Sequence, residues 1–145
     1  MHHTKDKGDL GMIQIMADLS RKGFKILTPL SEHLPFDIVA YHPDSGDLYK
    51  VQCKYKSSVG GVIKVDLRNC YSSSKGCSVK RYDLGAFDVL GIYAVDIDEC
   101  LYVKEDSLSG VSSISISHKN EKSRTAQIKK YKDYLSFPLN LARGA

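Results

Sequence analysis

The residue types best suited to chemistry lie in two neighbouring segments, with Asp37 in one and Gln52 and Lys54 in the other. Side chains alternate between the two faces of a strand, so Gln52 and Lys54 share a face. An antiparallel pairing of the two segments puts Asp37 on that same face. A turn centred on Ser45 and Gly46 sets Asp37 opposite Lys54, and a shift of two residues sets it opposite Gln52.

A carboxylate, an amide oxygen and an ammonium group that converge in this way can serve a divalent cation through oxygen ligands. The lysine would position an attacking water, or offset the negative charge that builds up on a phosphate. The alternative interpretation is the ordinary polar face of an amphipathic strand. Periodicity alone favours that alternative for each residue taken separately.

The elements that must position these residues follow from periodicity and from turn residues. Apolar residues at helical spacing predict a helix over residues 9–22, ended by Gly23, and a second helix over Ser123–Leu135. Residues 69–78 are predicted to form a loop. Strands are predicted at Phe24–Thr28, Phe36–Tyr41, Leu48–Lys56, Val62–Arg68, Phe87–Val95, Leu101–Lys104 and Val111–Ser117. This order predicts a single α+β domain over residues 1–145, an α/β/α-like arrangement in which helices flank a mixed sheet.

Composition and charge limit the class of protein. A hydrophobic fraction of 42% and a charged fraction of 26% are typical of globular domains and exclude disordered, collagen-like and coiled-coil chains. No apolar run approaches the roughly 20 residues of a membrane span, and the polar N-terminus predicts no signal peptide. Residues 118–145 carry seven Lys and Arg against two acidic residues, which suits a polyanionic partner. The alternative is a solvated helix face.

A family resemblance rests on Pro35-Phe36-Asp37 and, fifteen residues after Asp37, on Gln52-Cys53-Lys54. This spacing resembles the core motif of the PD-(D/E)XK nuclease superfamily. Other segments resemble its group I intron-associated homing endonuclease branch, of cyanobacterial type. They are Lys7–Gly11, Lys22–Phe24, Leu27–Leu30, Arg81-Tyr82, Phe87-Asp88 and Tyr93–Val95. The resemblance covers residues 4–104.

The resemblance implies a restriction-endonuclease-like core and site-specific cleavage of duplex DNA with Mg²⁺, or with Mn²⁺ as the alternative ion. It makes Asp37 the main metal ligand and Lys54 the catalytic lysine. Gln52 stands where most of the superfamily carries Glu, and its amide oxygen still ligates a metal with one negative charge fewer. A homodimer or homotetramer is implied. The alternatives are a Holliday junction resolvase, a restriction-type nuclease, and a catalytically silent DNA-binding protein.

One departure from the family lies in the first helix. The family often has a glutamate four residues after the glycine of its Lys-Gly pair, and here that position is Met12, which does not bind Mg²⁺. Asp9, three residues earlier, is the candidate replacement as a metal ligand. Its alternative role is to stabilise the N-terminal end of the helix. A protein impaired in cleavage therefore stays open as an alternative.

A basic surface is predicted around residues 54–68, as a two-stranded hairpin whose polar face enters the major groove. The alternative is an exposed hairpin with ordinary surface lysines. The predicted DNA-binding residues are Lys56, Lys64, Arg68, Lys75, Lys80 and Arg81, together with Lys122 and Arg124 of the basic C-terminal helix, about residues 122–135. We expect a cytoplasmic bacterial protein that associates with the nucleoid when bound to DNA.

Overall fold

A long amphipathic helix, α1 (Thr4–Arg21), opens the fold. It begins five residues before the predicted start, with His3 at the N-cap. It ends at Arg21, just before Gly23 as predicted, and the φ of 94° at Gly23 turns the chain so that the N–H of Phe24 bonds to the carbonyl of Leu19. The residues that α1 buries are Gly11, Ile15 and Leu19.

The computed structural model describes residues 3–73, 76–81, 85–108, 111–119 and 129–139, without the side chains of 68–73 and 76–81. In chain order, the strands of the described part are β1 (Lys25–Leu27), β2 (Ile38–Tyr41), β3 (Leu48–Lys56), β4 (Val62–Asp66), β5 (Arg68–Ser73), β6 (Gly76–Arg81), β7 (Val89–Ala94), β8 (Glu99–Lys104), β9 (Ser113–Ser117) and β10 (Lys129–Lys130). Two short 3₁₀ helices cover Glu105–Leu108 and Tyr131–Tyr134. No helix in these ranges is long and apolar enough to cross a membrane.

A mixed five-stranded sheet lies at the centre, in the order β1-β2-β3-β7-β8. Strands β3 and β7 pair in parallel, and the other neighbours in this sheet are antiparallel. A second sheet has the order β10-β9-β4, and β5 and β6 form an antiparallel hairpin. Strand β3 is therefore interior to the main sheet and bonded on both sides.

Two hydrophobic cores lie on the two faces of the central sheet. On one face, Ile15 and Leu19 of α1 pack with Val51 and Val89. On the other face, the second sheet packs against β7 and β8. That core includes Ile63, Val65, Ile114 and Ile116 with Leu90 and Ile92. The α+β class with a mixed central sheet is confirmed, but in the described part strands rather than a helix cover the second face.

The predicted C-terminal helix is wrong where the structure describes it. Lys129–Lys130 pairs as a short strand with β9, and Tyr131–Tyr134 is a single 3₁₀ turn. Residues 120–128 lie outside the described part. Tyr131 and Tyr134 pack against the second core. Their three-residue spacing suits one face of a 3₁₀ turn as well as a helix, so periodicity did not separate the two.

The predicted loop at residues 69–78 is also wrong. Strands β5 and β6 pair from Arg68 opposite Arg81 to Ser73 opposite Gly76. The segment 69–78 has four Ser, no β-branched residue and one aromatic residue, and it therefore lacks the residue types that favour strands, so composition concealed the pairing.

Candidate active site

The register of β2 against β3 brings the first candidate residues together. Ile38 pairs with Val51, and the N–H of Asp37 bonds to the carbonyl of Val51 at 3.0 Å. Asp37 therefore lies opposite Gln52, which is the shifted register of the two that the sequence left open. Opposed residues in antiparallel strands share a face and lie about 4.5–5.5 Å apart at Cα. Lys54 follows on the same face of β3.

The Asp37 carboxylate is anchored to the backbone of β3. Its Oδ2 accepts the N–H of Cys53 at 2.7 Å, which fixes one carboxylate oxygen and orients the group. Burial, and then the negative charge of Asp37, raise the pKa of the Cys53 thiol well above its ordinary value. Cys53 is therefore a neutral thiol near neutral pH, and neither Cys53 nor Cys100 forms a disulfide.

The candidate side chains border the second core. In the parallel register of β3 and β7, Gln52 pairs with Leu90 and Lys54 with Ile92, and both partners are fully buried. Asp37, Gln52 and Lys54 are themselves half-buried. Fixed charges next to an apolar layer act more strongly than the same charges in open water.

The oxygen donors fit a hard divalent cation that takes only a few of its ligands from the protein. Asp37 and Gln52 contribute oxygen donors, and Mg²⁺ is typically held by one or two carboxylates, several waters and substrate phosphates. The described residues contain no cluster of three or more His, Cys, Asp or Glu placed to hold a metal. The fit is therefore to an ion that is shared with the phosphate of a substrate.

The two first-helix candidates lie in a different layer. Helix α1 packs against the face of β3 that carries Val51, opposite to Gln52 and Lys54. Asp9 is exposed on this helix, and its role as a metal ligand stays a prediction. Met12 is half-buried and packs against the first core, so in this chain position 12 holds a packing residue.

A second aspartate, Asp88, supports β3 from the other side. Its Oδ2 accepts the N–H of Lys50 at 2.8 Å, and its own N–H bonds to the carbonyl of Lys50 at 2.9 Å. Asp88 thus secures β3 at its β7 edge as Asp37 does at its β2 edge. Asp88 was not among the predicted site residues and appears in the sequence analysis only as part of the family resemblance. The available signal was the repeated Phe-Asp pair, Phe36-Asp37 and Phe87-Asp88, directly before a buried strand.

The predicted DNA-binding residues fall into three groups. Lys56 and Lys64 line one cavity of about 490 Å³. Arg68, Lys80 and Arg81 lie on the β5–β6 hairpin, where Arg68 pairs with Arg81 and Lys80 with Asn69, and their side chains are outside the description. Three further candidates lie outside the described residues altogether: Lys75, Lys122 and Arg124.

The predicted hairpin of residues 54–68 is wrong as a two-stranded unit. Strand β3 pairs with β2 and β7, whereas β4 pairs with β9. The two strands do not pair with each other. The segment between them contains a bridge between Val59 and Val62, across a Gly60-Gly61 turn with φ of 58° and 80°. The chain leaves the central sheet at this turn and enters the second sheet, because the apolar face of β4 is buried in the second core.

Polar side chains stabilise the segment between β3 and β4. Asp96 accepts hydrogen bonds from the backbone N–H and, at 2.8 Å, the hydroxyl of Ser58. These bonds, with the nearby His118, lower the pKa of Asp96. The Nε2 of His118 lies 2.9 Å from the Ser58 hydroxyl. The hydroxyl lies between the acid and the imidazole, which is not the order of a nucleophilic triad, so the cluster is structural.

Comparison with known proteins agrees with this architecture. The sequence matches the family described as PD-(D/E)XK endonuclease over residues 2–137. The fold is similar to the solved structure of a bacterial homing endonuclease, I-Ssp6803I, with a TM-score of 0.75. That similarity covers 92% of this chain and 88% of the other at 24% identity, and it confirms the restriction-endonuclease-like core. No curated protein matches the sequence. Because the family match spans nearly the whole chain, this protein belongs to the PD-(D/E)XK endonuclease family.

Proposed function

We propose that this protein is a Mg²⁺-dependent homing endonuclease that hydrolyses phosphodiester bonds of duplex DNA at Asp37, Gln52 and Lys54. The observation that carries the proposal is the register of β2 and β3. It brings a backbone-anchored carboxylate opposite an amide, with a lysine two residues along the same face. Family membership supports the endonuclease activity, and the fold shared with a bacterial homing endonuclease supports the homing role.

Each residue has a distinct role in this proposal. Asp37 and Gln52 bind Mg²⁺, with Mn²⁺ as the alternative ion, through their side-chain oxygens. A bound metal ion supplies Lewis-acid stabilisation of the phosphate and lowers the pKa of a coordinated water. Lys54 offsets the negative charge that grows on the phosphate, and it positions the attacking water. The bond from the Cys53 N–H holds the Asp37 carboxylate in one orientation before the substrate arrives.

The partner is duplex DNA, contacted through the lysines near the end of β3 and on β4, and through the basic residues of the β5–β6 hairpin. The register of that hairpin supports a local concentration of positive charge, because Arg68 pairs with Arg81 and Lys80 is next in line. Such charges contribute salt-dependent affinity for the DNA backbone. A homodimer or homotetramer would let so small a chain cover a long recognition site.

The test is cleavage of plasmid DNA that carries the intron-free form of the region flanking the coding sequence. We expect Lys54→Ala to lower the cleavage rate at least about 100-fold while leaving DNA binding nearly intact. Lys50→Ala is the matched control, because Lys50 lies on the same face of the same strand but its Nζ bonds to the carbonyl of Gly85 at 2.6 Å. Undiminished cutting by Lys54→Ala would refute the assignment.

Asp37→Asn gives an independent check of the metal role. The amide oxygen of Asn can still accept the Cys53 N–H, so the fold is retained while the negative charge is removed. We expect metal-dependent cleavage to be lost and the thermal midpoint to change little. A variant that cuts at the original rate over a Mg²⁺ titration would remove Asp37 from the site.

A second candidate function is a catalytically silent DNA-binding protein. The observation in its favour is Met12, which packs against the first core at the position where the family often places a glutamate. This candidate predicts tight, specific binding with no cleavage in either Mg²⁺ or Mn²⁺. Discrete cleavage products from the unmodified protein would exclude it.

A further inference from the structure

A cavity of about 490 Å³ lies where α1, β3 and the second sheet meet. Three lysines from three separate elements line it: Lys7 from the first turn of α1, Lys56 from the end of β3, and Lys64 from β4. Ser57 and Ser115 contribute hydroxyl groups to the same wall. The cavity therefore presents ammonium and hydroxyl donors, which are the groups that bind phosphate oxygens.

The three lysines of this cavity form no ion pair with a described residue. No described carboxylate lies within 4.0 Å of the ammonium group of Lys7, Lys56 or Lys64. Like charges gathered around one cavity repel each other, so an anion that enters it relieves the repulsion and gains attraction from several sides at once.

The cavity lies close to the candidate active site. Lys56 follows Lys54 by two residues on the same face of β3, which is about 7 Å along a strand. Phosphates of one DNA strand advance by about 3.4 Å per nucleotide along the helix axis. A phosphate in the cavity would therefore lie one or two nucleotides from the phosphate beside Lys54.

The wall of the cavity is held in place before any ligand binds. Ser57 precedes Ser58, whose N–H and hydroxyl are held by Asp96 and whose hydroxyl also contacts His118. The Val59–Val62 bridge closes the same segment. A preorganised wall loses little conformational entropy on binding, which favours a specific contact over a diffuse one.

We infer that this cavity binds one backbone phosphate of the DNA, next to the scissile phosphate, and that Lys7 is a DNA contact on a different element from the catalytic strand. The inference rests on the proposed function, because it takes the DNA that Lys54 cuts as the ligand. It adds a residue of α1 to the interface and gives Lys7, Lys56 and Lys64 one shared phosphate rather than three separate ones.

The experiment is a binding titration of a short fluorescent duplex, without Mg²⁺, at salt concentrations from about 50 to about 200 mM. The variants are Lys7→Gln, Lys56→Gln and their combination, together with the combination of Lys5→Gln and Lys56→Gln. Lys5→Gln is the matched control, because Lys5 lies in the same exposed first turn of α1 but does not line the cavity. We expect Lys7→Gln to weaken binding about threefold or more at the lowest salt and to reduce the salt slope by about one, whereas Lys5→Gln does neither.

The double variant tests whether the lysines share one phosphate. We expect the effects of Lys7→Gln and Lys56→Gln to be less than additive, whereas Lys5→Gln and Lys56→Gln add. The inference would be overturned if the Lys7→Gln variant bound DNA as tightly as the Lys5→Gln variant. Strict additivity of the effects of Lys7→Gln and Lys56→Gln on binding would also overturn it. Neither outcome affects the cleavage that depends on Lys54. Failure of the unmodified protein to bind or cut DNA would overturn the proposed function, and the inference with it.

Discussion

At the scale of single residues, two aspartates define how β3 presents its polar face. Asp37 and Asp88 each accept one backbone N–H of β3, at Cys53 and at Lys50, from opposite sides of the strand. The strand between them carries Gln52, so the position of Gln52 is constrained by two half-buried hydrogen bonds. Such bonds to a charged acceptor contribute about 1.5–3 kcal/mol each. The candidate site is therefore held by bonds between two aspartate side chains and the backbone of β3, and one of these aspartates, Asp37, is itself a candidate metal ligand.

Asp9 is the residue whose role most needs a direct test. We expect Asp9→Asn to raise the Mg²⁺ concentration needed for half-maximal cleavage, because one oxygen donor with negative charge is removed. Asp6→Asn is the control, since Asp6 lies in the first turn of the same helix and shares any stabilisation of its N-terminal end. Equal metal titration curves for the two variants would leave Asp9 with a helix-stabilising role alone.

The buried thiols predict a decrease in stability at alkaline pH. Burial raises the pKa of Cys53, and it raises that of Cys100 from 9.0 to about 12. Above about pH 9 the unfolded chain releases these protons and the folded chain keeps them. Their contribution is therefore complete below pH 9 and is lost as the pH rises, by at most about 1.4 kcal/mol per pH unit for each thiol.

Urea unfolding between about pH 8 and about pH 10 measures this effect. We expect the free energy of unfolding to fall over this interval in the unmodified protein and to fall less in the Cys53→Ala, Cys100→Ala double variant. The same pH dependence in both proteins would show that other groups cause the decrease.

At the scale of elements, α1 packs closely against β3, and this packing brings Lys7 of the helix near Lys56 of the strand. It depends on Gly11, where an added Cβ would lie 3.0 Å from the Cβ of Tyr55 and 3.3 Å from its backbone. An added Cβ at Gly8, in the same helix, would meet nothing within 4 Å. The two glycines are therefore a matched pair, in which one admits close packing and the other only lowers helix propensity.

We expect Gly8→Ala to stabilise the protein by roughly 0.5–1 kcal/mol through helix propensity. Gly11→Ala should destabilise it by roughly 1–3 kcal/mol, because α1 must move away from a central strand that is bonded on both sides. Thermal unfolding of the two variants provides the comparison. A shift in the same direction for both would contradict the close approach of α1 to β3.

At the scale of the whole molecule, the central sheet lies between a helix and a smaller sheet, and the candidate site opens beside the second core. The cavity with Lys7, Lys56 and Lys64 lies where these layers meet at the end of β3. DNA that contacts both the cavity and the candidate site would run along this end of the sheet. A chain of 145 residues offers a short contact surface of this kind, so we expect a long DNA site to be covered by more than one subunit.

We expect the protein to be a dimer or tetramer in solution at micromolar concentration. Light scattering coupled to size-exclusion chromatography gives the mass directly, both without DNA and with the intron-free duplex. A mass of 16.1 kDa without DNA, together with a mass of one chain plus one duplex with DNA, would contradict the expectation.

Much of the local structure could be predicted from the sequence. The apolar stripe of α1, the helix end at Gly23, the bounds of β3 and the fully apolar β7 are confirmed. The common face of Asp37, Gln52 and Lys54 follows from strand alternation in either register. The C-terminal residues were misjudged because Tyr131 and Tyr134 satisfy two kinds of helical turn, and the hairpin β5–β6 because its Ser-rich composition carries little strand signal.

The sequence by itself determined which side chains share a face, because that depends on the local period of a strand or helix. Only the tertiary structure decided that Asp37 lies opposite Gln52 rather than Lys54, because both registers bury the same faces and the choice depends on the turn, where the N–H of His42 bonds to the carbonyl of Asp47 and the N–H of Gly46 to that of His42. It also decided that β4 leaves β3 for a second sheet, and that Lys7 meets Lys56 at one cavity. Contacts between residues distant in the chain result from packing of apolar faces, and no local pattern encodes which faces will meet.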